Sequence, residues 1–367
     1  MKLICNGNDL ADAVSKVFKA VSARTTSPVL EGIKLKAEPG SLVLTATDQE
    51  LTIEKTIAAD VKIEGETVVP GKVFAEFVKK LTKEQIELSL DDHSRLILRY
   101  NENSGMLQCL NPAEYPKTKP PEGGQFFIII RSELKDLINK TAFSVCQDDG
   151  RPMLKGVLLE VDSATLTAVA LDGYRLAKCV KPIEKTSALM SAIIPARCVN
   201  EIARLIDDTA DPVCLTVHKN YLRVDLGHTQ VTSRLLDGEF INYKQIIPSD
   251  FNSVVTLPCE QFEAALERAI LLSRIEKNNL VRFDISGDLL ILSSNSDIGN
   301  VQERISIKLN GNDLAIAFNA RYFTELLRYL SSENLVIKFT NGVSPCVVEP
   351  SGTGEDLMYL ILPVRMN

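Results

Sequence analysis

The sequence of 367 residues repeats itself with a period close to 125 positions. Three stretches share a short apolar strand, a break, a basic residue two positions later, and apolar residues at helical spacing. They read TVVPGKVFAEFVKKL at 67–81, AIIPARCVNEIARLI at 192–206 and IAFNARYFTELLRYL at 316–330. The breaks are Pro70, Pro195 and Asn319, and the basic residues are Lys72, Arg197 and Arg321. Such a period predicts several copies of one structural unit.

A second series has the same period. Apolar and polar residues alternate at 32–57, 156–180 and 279–309, which is typical of hairpins. A turn is indicated near Asp48, Asp172 and Asp297, which lie 124 and 125 positions apart. Two independent series in register predict three copies of one domain.

Each copy is itself doubled. In the first, a strand at 2–6 precedes a helix at about 8–20 and strands at 29–37, 41–47 and 50–59. The order then recurs as a strand at 66–70, a helix at 71–82 and strands near 85–90, 95–100 and 104–110. We therefore predict an α+β fold of three domains, each of two β-α-β-β-β units. The expected domains are 1–122, 123–249 and 250–367, with linkers at 111–124 and 246–253.

The cysteines, histidines and apolar runs argue against a zinc protein, a secreted protein and a membrane-spanning protein. Eight cysteines occur without a C-x-x-C pair, beside three histidines, which disfavours a zinc site and fits a reducing compartment. The N-terminus has no signal-peptide pattern, and the apolar run at 126–130 is too short to cross a bilayer. We expect a soluble cytoplasmic protein without metal, cofactor or membrane contact.

The net charge of −7 disfavours a nucleic-acid partner unless the charges are segregated. The predicted helices at 8–20, 71–81, 131–141, 195–207, 258–275 and 319–330 carry +3 together, which leaves −10 on the rest of the chain. A mildly basic helical surface tolerates phosphate, and an acidic remainder discourages nonspecific adhesion. No base-reading motif is present.

The stretch ALDGYRLA at 170–177 places Asp172, Tyr174 and Arg175 together and resembles an active site. However, Asp-Gly is strong turn chemistry, and Asp172 falls on the repeated turn position. No phosphate-loop, dinucleotide, HExxH or GxSxG motif occurs, and no histidine has a matched nucleophile. We expect no catalytic residue.

Several motifs in this order resemble one family. They are PVLEGIKL at 28–35, TATDQEL at 45–51, LDGYRL at 171–176, SRLLDGEFINYKQIIP at 233–248, FNARYFTELL at 318–327 and YLILPVRMN at 359–367. With the threefold repeat, the whole chain resembles the bacterial sliding clamps, the beta subunits of DNA polymerase III.

The resemblance implies a head-to-tail homodimeric ring around double-stranded DNA, with helices inside and sheets outside. Such a ring is not an enzyme; it tethers the polymerase to its template without reading sequence. The implied partners are DNA, a second copy of the chain, the polymerase catalytic subunit, a clamp loader complex and other proteins with a clamp-binding motif. No cofactor is implied. A scaffold that binds peptides but does not encircle DNA is the alternative.

The resemblance also implies a pocket for client peptides, with apolar walls for Leu and Phe side chains. The matching residues are Leu154, Gly173, Tyr174, Arg175, Leu176, Ile241, Gln245, Ile246, Asn319, Tyr322, Val343, Pro345, Leu360, Leu362, Pro363, Val364, Arg365 and Met366. The competing interpretation is that the terminal YLILPV is simply an edge strand. Leu171, Tyr174, Gln245 and Pro345 depart from the common family pattern, so the peptide preference of this chain is expected to differ.

Two further surfaces follow from the resemblance. The expected DNA-facing residues are Arg24, Lys72, Lys79, Arg151, Arg197 and Arg204, although any of them is equally consistent with a solvated surface charge. Asp148 and Asp149 weaken Arg151 as a phosphate contact. The expected dimer-interface residues are Leu107, Leu271 and Leu272, for which ordinary core leucine is the alternative.

Overall fold

The computed structural model describes residues 1–22, 25–81, 84–117, 123–274 and 279–365. The chain forms two compact units. Unit 1 comprises residues 1–132, 184–188 and 201–235, and unit 2 comprises residues 133–183, 189–200 and 236–367.

Six α-helices lie in the described ranges, one for each half of each sequence repeat. They are α1 (Gly7–Val17), α2 (Gly71–Val78), α3 (Arg131–Asn139), α4 (Ala196–Leu205), α5 (Cys259–Ser273) and α6 (Arg321–Leu327). All six coincide with predicted helices, mostly with earlier C-terminal ends. None has both the length and the apolar character of a membrane-spanning segment.

The strands of the described ranges also follow the repeat, nine to a copy. The first copy has β1 (Lys2–Asn6), β2 (Gly32–Glu38), β3 (Ser41–Thr47), β4 (Leu51–Ala58), β5 (Asp60–Ile63), β6 (Gly65–Pro70), β7 (Gln85–Leu90), β8 (Arg95–Tyr100) and β9 (Asn103–Gln108). The second has β10 (Gln125–Ile130), β11 (Gly156–Val161), β12 (Thr165–Leu171), β13 (Arg175–Pro182), β14 (Lys185–Thr186), β15 (Met190–Pro195), β16 (Pro212–His218), β17 (Tyr221–Asp225) and β18 (Thr229–Arg234). The third has β19 (Ser253–Pro258), β20 (Leu280–Ser286), β21 (Leu289–Ser296), β22 (Gly299–Ser306), β23 (Lys308–Gly311), β24 (Leu314–Asn319), β25 (Asn334–Phe339), β26 (Cys346–Pro350) and β27 (Asp356–Ile361).

The predicted α+β fold of doubled β-α-β-β-β units is confirmed, with two corrections to the predicted elements. Each copy contains an additional short strand, β5, β14 or β23, that pairs antiparallel with the first strand of its copy. The expected strand at 29–37 begins at Gly32, because Pro28–Glu31 form a 3₁₀ turn. The β-α-β-β-β unit therefore alternates with one short edge strand in each copy.

Unit 1 contains two antiparallel sheets. The five-stranded sheet has the order β5-β1-β7-β8-β9. The nine-stranded sheet has the order β14-β10-β16-β17-β18-β4-β3-β2-β6, and it joins the first and second repeat copies through the β18–β4 pair. In this pair Val231 lies opposite Ile53.

Unit 2 is built on the same plan. Its nine-stranded sheet has the order β15-β11-β12-β13-β27-β26-β25-β19-β23 and joins the second and third copies through the β13–β27 pair. Its four-stranded sheet has the order β22-β21-β20-β24. The last strand of the chain, β27, thus lies inside a sheet, paired on both sides, so the interpretation of YLILPV as an edge strand is wrong.

Helices cover these sheets with their apolar faces. In α1 the Asn6 side chain accepts hydrogen bonds from the Asn8 and Asp9 backbone N–H groups, at 2.8 and 3.4 Å, which caps the helix. Leu10 and Val14, one turn apart, are fully buried. In unit 2, α5 and α6 enclose an aromatic core of edge-to-face and tilted rings, formed by Phe262, Phe283, Phe318 and Phe323.

Candidate functional site

The Asp172 side chain closes the turn between β12 and β13. Its Oδ1 accepts hydrogen bonds from the backbone N–H groups of Tyr174 and Arg175, at 2.9 and 3.0 Å. Gly173 has φ +94°, a conformation that L side chains rarely adopt. The carboxylate therefore holds the backbone, as the turn interpretation predicted.

The first repeat contains the same turn. Asp48 Oδ1 accepts from the Glu50 and Leu51 backbone N–H groups, at 3.0 and 2.8 Å, and Gln49 has φ +76°. The third copy differs, because its hairpin closes between Ser296 and Gly299 with only two intervening residues. The turn near Asp297 exists, but it lacks the length of the other two.

Arg175, three residues after Asp172, donates hydrogen bonds to three different residues. Its Nε donates to Asp172 Oδ2 at 3.0 Å, Nη1 to Glu325 Oε2 at 2.5 Å and Nη2 to the Phe143 carbonyl at 2.9 Å. Its guanidinium also lies 4.8 Å from the Tyr322 ring centroid. Burial would raise the pKa of Glu325, but hydrogen bonds from Arg175 and Arg321 bring that pKa below its ordinary value. Arg175 thus organises the site more than it presents a free charge.

The C-terminal segment runs beside this turn. The Leu362 backbone N–H donates to the Tyr174 carbonyl, and the Val364 N–H donates to the Ala317 carbonyl, both at 2.8 Å. The segment after β27 is thereby held between the start of β13 and β24.

Three of the expected pocket residues are core residues. Leu154, Leu176 and Leu360 are at most 2% exposed and belong to one apolar cluster, against which Leu362 packs. They can form the floor of a pocket but not its accessible wall. The sequence pattern did not distinguish floor from wall because both are apolar.

Other expected residues form an exposed apolar set in unit 2. Ile241, Ile246, Val343 and Val364 are 44%, 39%, 77% and 41% exposed, so these apolar side chains are accessible to a partner. Ile241 and Ile246 flank buried Tyr243, whose hydroxyl donates to a Glu160 carboxylate oxygen at 2.6 Å. Gln245 and Arg365 are exposed, Pro345 and Pro363 are half-buried, and Met366 lies outside the described residues.

A polar cavity of about 750 Å³ adjoins the Asp172 turn within unit 2. It contains five of the expected residues, Gly173, Tyr174, Arg175, Asn319 and Tyr322. It also contains residues that the sequence did not single out as pocket residues, among them Phe143, Arg321, Glu325, Arg328 and Tyr329. Arg321 stood in the sequence repeat and in the motif FNARYFTELL but was not predicted to line a pocket, and neither were Phe143 and Tyr329, whose ring centroids lie 5.0 Å apart.

The expected DNA-facing residues occupy several elements. Lys72 and Arg197 are exposed on α2 and α4, and Lys79 is exposed at the end of α2. Arg204 is exposed on α4 and forms an ion pair with Glu201. Arg151 lines the polar cavity, and Arg24 lies outside the described residues.

The expected interface leucines lie near two open sheet edges. Leu107 is half-buried on β9, the edge of the five-stranded sheet of unit 1. Leu271 is 62% exposed on α5, which packs on β22 in unit 2, and Leu272 is half-buried. Met106, which the sequence analysis did not single out, lies next to Leu107 on β9 and is 58% exposed.

All eight cysteines are free thiols. Among the described residues, no group of His, Cys, Asp and Glu side chains is arranged to hold a metal ion.

Family sequence models match the chain along nearly all its length. The DNA polymerase III beta subunit N-terminal domain matches residues 1–119, the central domain 129–242 and the C-terminal domain 244–365. The chain belongs to the DNA polymerase III beta subunit family. The beta sliding clamp of Halalkalibacterium halodurans is 33% identical over 379 residues and covers 100% of both chains. That of Staphylococcus aureus (strain Mu50) is 28% identical over 96% of both.

Solved structures of beta subunits have the same fold. The DNA polymerase sliding clamp of Bacillus subtilis has a TM-score of 0.96 at 29% identity, and a putative beta subunit of Eubacterium rectale has 0.95 at 28%, each over 100% of both chains. A DNA polymerase sliding clamp of this family is a processivity factor and is not itself catalytic.

Proposed function

We propose that two copies of this chain close head to tail into a ring around double-stranded DNA and tether the replicative polymerase to it. The way in which the strands of each repeat are divided between two sheets supports this proposal. Each repeat copy supplies five strands to one sheet and four to another, and each nine-stranded sheet joins the five of one copy to the four of the preceding copy.

The two remaining sheets are the unjoined ends of this series. The five strands from the first copy end at β9, which corresponds to β18 and β27. The four strands from the third copy end at β22, which corresponds to β4 and β13. Within the chain, β18 pairs with β4 and β27 pairs with β13. Pairing β9 of one chain with β22 of a second chain would therefore complete the pattern. An open edge is otherwise a site of uncontrolled pairing.

Exposed apolar side chains near both edges support the same contact. Met106 lies on β9, and Leu271 lies on α5 against β22. Burying each of them on association would be favourable. A head-to-tail contact uses two different surfaces, so it forms a ring when the geometry closes.

The DNA-facing surface is proposed from the exposed basic residues of the helices. Lys72, Lys79, Arg197 and Arg204 are exposed on or beside α2 and α4. Contacts through such flexible charges hold phosphate without fixing register, which suits sliding. Arg24 is assigned to this surface only as an expectation from the family resemblance, whereas Arg151, which the resemblance also placed here, lines the polar cavity of unit 2.

Client proteins are proposed to bind unit 2 with a short peptide. The exposed side chains of Tyr174, Ile241, Ile246, Val343 and Val364 would form its wall, above the floor of buried leucines. The polymerase catalytic subunit, the clamp loader and other motif-bearing proteins would share this site in the cytoplasm.

The domain limits that we propose, from the sequence repeat, are 1–122, 123–249 and 250–367.

Two measurements test the ring. Sedimentation equilibrium should give twice the chain mass of 40.5 kDa at micromolar concentration. With a clamp loader and ATP, the protein should remain on nicked circular DNA and be released when the circle is linearised. A dimer that binds client peptides but never loads would favour the scaffold alternative, and a strict monomer would contradict the ring.

A further inference from the structure

The polar cavity of unit 2 carries an excess of positive charge. Its lining includes four arginines, Arg151, Arg175, Arg321 and Arg328, and three carboxylates, Asp148, Asp172 and Glu325. A concave surface focuses the field of such charges more than a flat surface does. The formal excess is therefore one positive charge, and its location depends on which arginines are already paired.

Two of the four arginines form ion pairs with carboxylates of the cavity. Arg175 binds Asp172 and Glu325, as described above. Arg321 Nε donates to Glu325 Oε1 at 2.6 Å, so Glu325 serves both guanidinium groups. Asp148 Oδ1 accepts from the Gly150 backbone N–H at 3.1 Å.

The other two arginines have no carboxylate partner among the described residues. Arg151 and Arg328 line the cavity and are exposed, and neither forms an ion pair or a side-chain hydrogen bond there. Arg151 Nη1 lies over Gly173, 2.7 Å from where a Cβ would stand. The absent side chain thus gives the Arg151 guanidinium its place beside the turn.

The cavity is continuous with the proposed peptide site. Gly173, Tyr174, Asn319 and Tyr322 belong to both, and the Tyr174 carbonyl binds the C-terminal segment that carries Val364. A peptide whose apolar side chains lie on the exposed isoleucines and valines would therefore extend a neighbouring residue toward the two arginines.

We propose that Arg151 and Arg328 bind an acidic side chain of the client peptide, next to its apolar anchors. This proposal rests on the client-binding function and specifies the peptide class. A guanidinium matches a carboxylate in size and geometry, and charge-assisted hydrogen bonds are the stronger kind. A single carboxylate brings one negative charge into a cavity that already holds Asp148, whereas a DNA strand would bring several phosphates, which favours the peptide over DNA.

The test uses pairs of labelled synthetic peptides with the same Leu and Phe anchors and either Glu or Gln at each other position in turn. Fluorescence anisotropy on the intact protein should show one position at which Glu binds about tenfold more tightly than Gln. Arg328→Gln and Arg151→Gln should each reduce that ratio toward one, with little change for the Gln peptide. Arg282→Gln is the matched control, because Arg282 is an exposed arginine of unit 2 paired with Asp284 outside the cavity.

A charge exchange makes the result specific. Arg328→Glu should weaken the Glu peptide and strengthen a Lys peptide of the same length. Equal Glu and Gln affinities at every position, or a ratio unchanged in both arginine variants, would overturn the proposal while leaving peptide binding intact. If no peptide binds at all, the client-binding function itself fails. If the variants reduce DNA retention but not peptide discrimination, the arginines contact phosphate and the proposal is wrong.

Discussion

Single residues in the second repeat copy divide between backbone and surface roles. Asp172 and Arg175 are engaged in the turn and its ion pairs, whereas the Tyr174 side chain between them is 63% exposed. The same turn at Asp48 lacks both the glycine and the tyrosine. The shared carboxylate belongs to the fold, and the residues particular to this copy are the ones available for binding.

Gly173 is the residue at which conformation and close approach coincide. Gly173→Ala should destabilise the fold by about 1–2 kcal/mol, because φ is +94° and the new methyl would meet Arg151. Gly40→Ala separates the two effects, since Gly40 has φ +78° but no atom within 4 Å of its Cβ position. Urea denaturation should show losses of similar size, because Arg151 Nη1 is the end of an exposed, flexible side chain that can move away from the new methyl. A clearly larger loss for Gly173→Ala would show that the Arg151 guanidinium is held rigidly beside the turn.

Glu325 should make stability depend on pH in the acid range. Its folded-state pKa is below the ordinary value, so its contribution is present above the unfolded pKa, near about 4.3, and is lost as pH falls through the folded pKa. Glu325→Gln should cost about 2 kcal/mol at neutral pH, and this difference should shrink below about pH 4. Urea midpoints across that range measure it. Glu333→Gln, at an exposed position, should leave the profile unchanged; a pH-independent difference for Glu325→Gln would contradict the assignment.

At the scale of elements, a charged network connects α3, β13 and the segment before β27. Lys140, directly after α3, is 5% exposed in its side chain, and its Nζ lies 2.8 Å from Asp136 and 2.7 Å from Glu355. Lys181 on β13 lies 2.8 Å from Glu133 and 2.7 Å from Asp136. The network ties the helix of one repeat copy to the last strand of the next.

Removing one member should leave a buried cation with fewer partners. Glu355→Gln should destabilise the protein by about 2–3 kcal/mol. Glu349→Gln is a control, because it opens the more exposed Lys338–Glu349 pair and should cost less than about 1 kcal/mol. The double variant Lys140→Met/Glu355→Gln should recover part of the loss in a thermodynamic cycle followed by urea unfolding. Additive losses would show that the two residues do not interact.

Periodicity predicted the six helices and most strands because each carries an apolar face of its own. It missed β5, β14 and β23, which are short edge strands with mostly exposed side chains and therefore no alternating signal. The sequence predicted only part of the cavity lining. Tyr174 and Asn319 belong to recognisable motifs, whereas Phe143 and Arg328 line the same cavity only because β13 pairs with β27. A pairing between distant strands leaves no mark within either one.

At the scale of the whole molecule, the repeat predicts the register of the contact between copies. In the two internal joints, Val231 lies opposite Ile53 and Tyr359 lies opposite Ala177. When the strand pairs of each repeat are followed from its first strand to its last, Gly105 on β9 is equivalent to Val231 on β18 and Tyr359 on β27. Val301 is likewise equivalent to Ile53 and Ala177. The expected intermolecular register therefore sets Gly105 opposite Val301.

Cysteine cross-linking tests this register directly. Ser104 and Gln302, both exposed, fall opposite each other once Gly105 faces Val301. Ser104→Cys/Gln302→Cys should give a covalent dimer on oxidation, because opposite residues in an antiparallel pair approach disulfide distance. Ser104→Cys/Val301→Cys should not, since a slip of one residue points the side chains to opposite faces. Non-reducing electrophoresis measures both. Efficient cross-linking of the second pair alone would refute the register.

The division of strands into five and four gives each chain two different unpaired sheet edges, β9 and β22, as a monomer in a condensation polymer has two different reactive ends. When two chains join through one β9–β22 contact, one β9 edge and one β22 edge remain unpaired until a second contact closes the ring. Ring closure therefore competes with chain growth. Once two chains are joined, the free ends share one molecule, and their effective concentration can exceed that of any third chain. A variant that altered the bend of one joint would be expected to form open filaments rather than monomers.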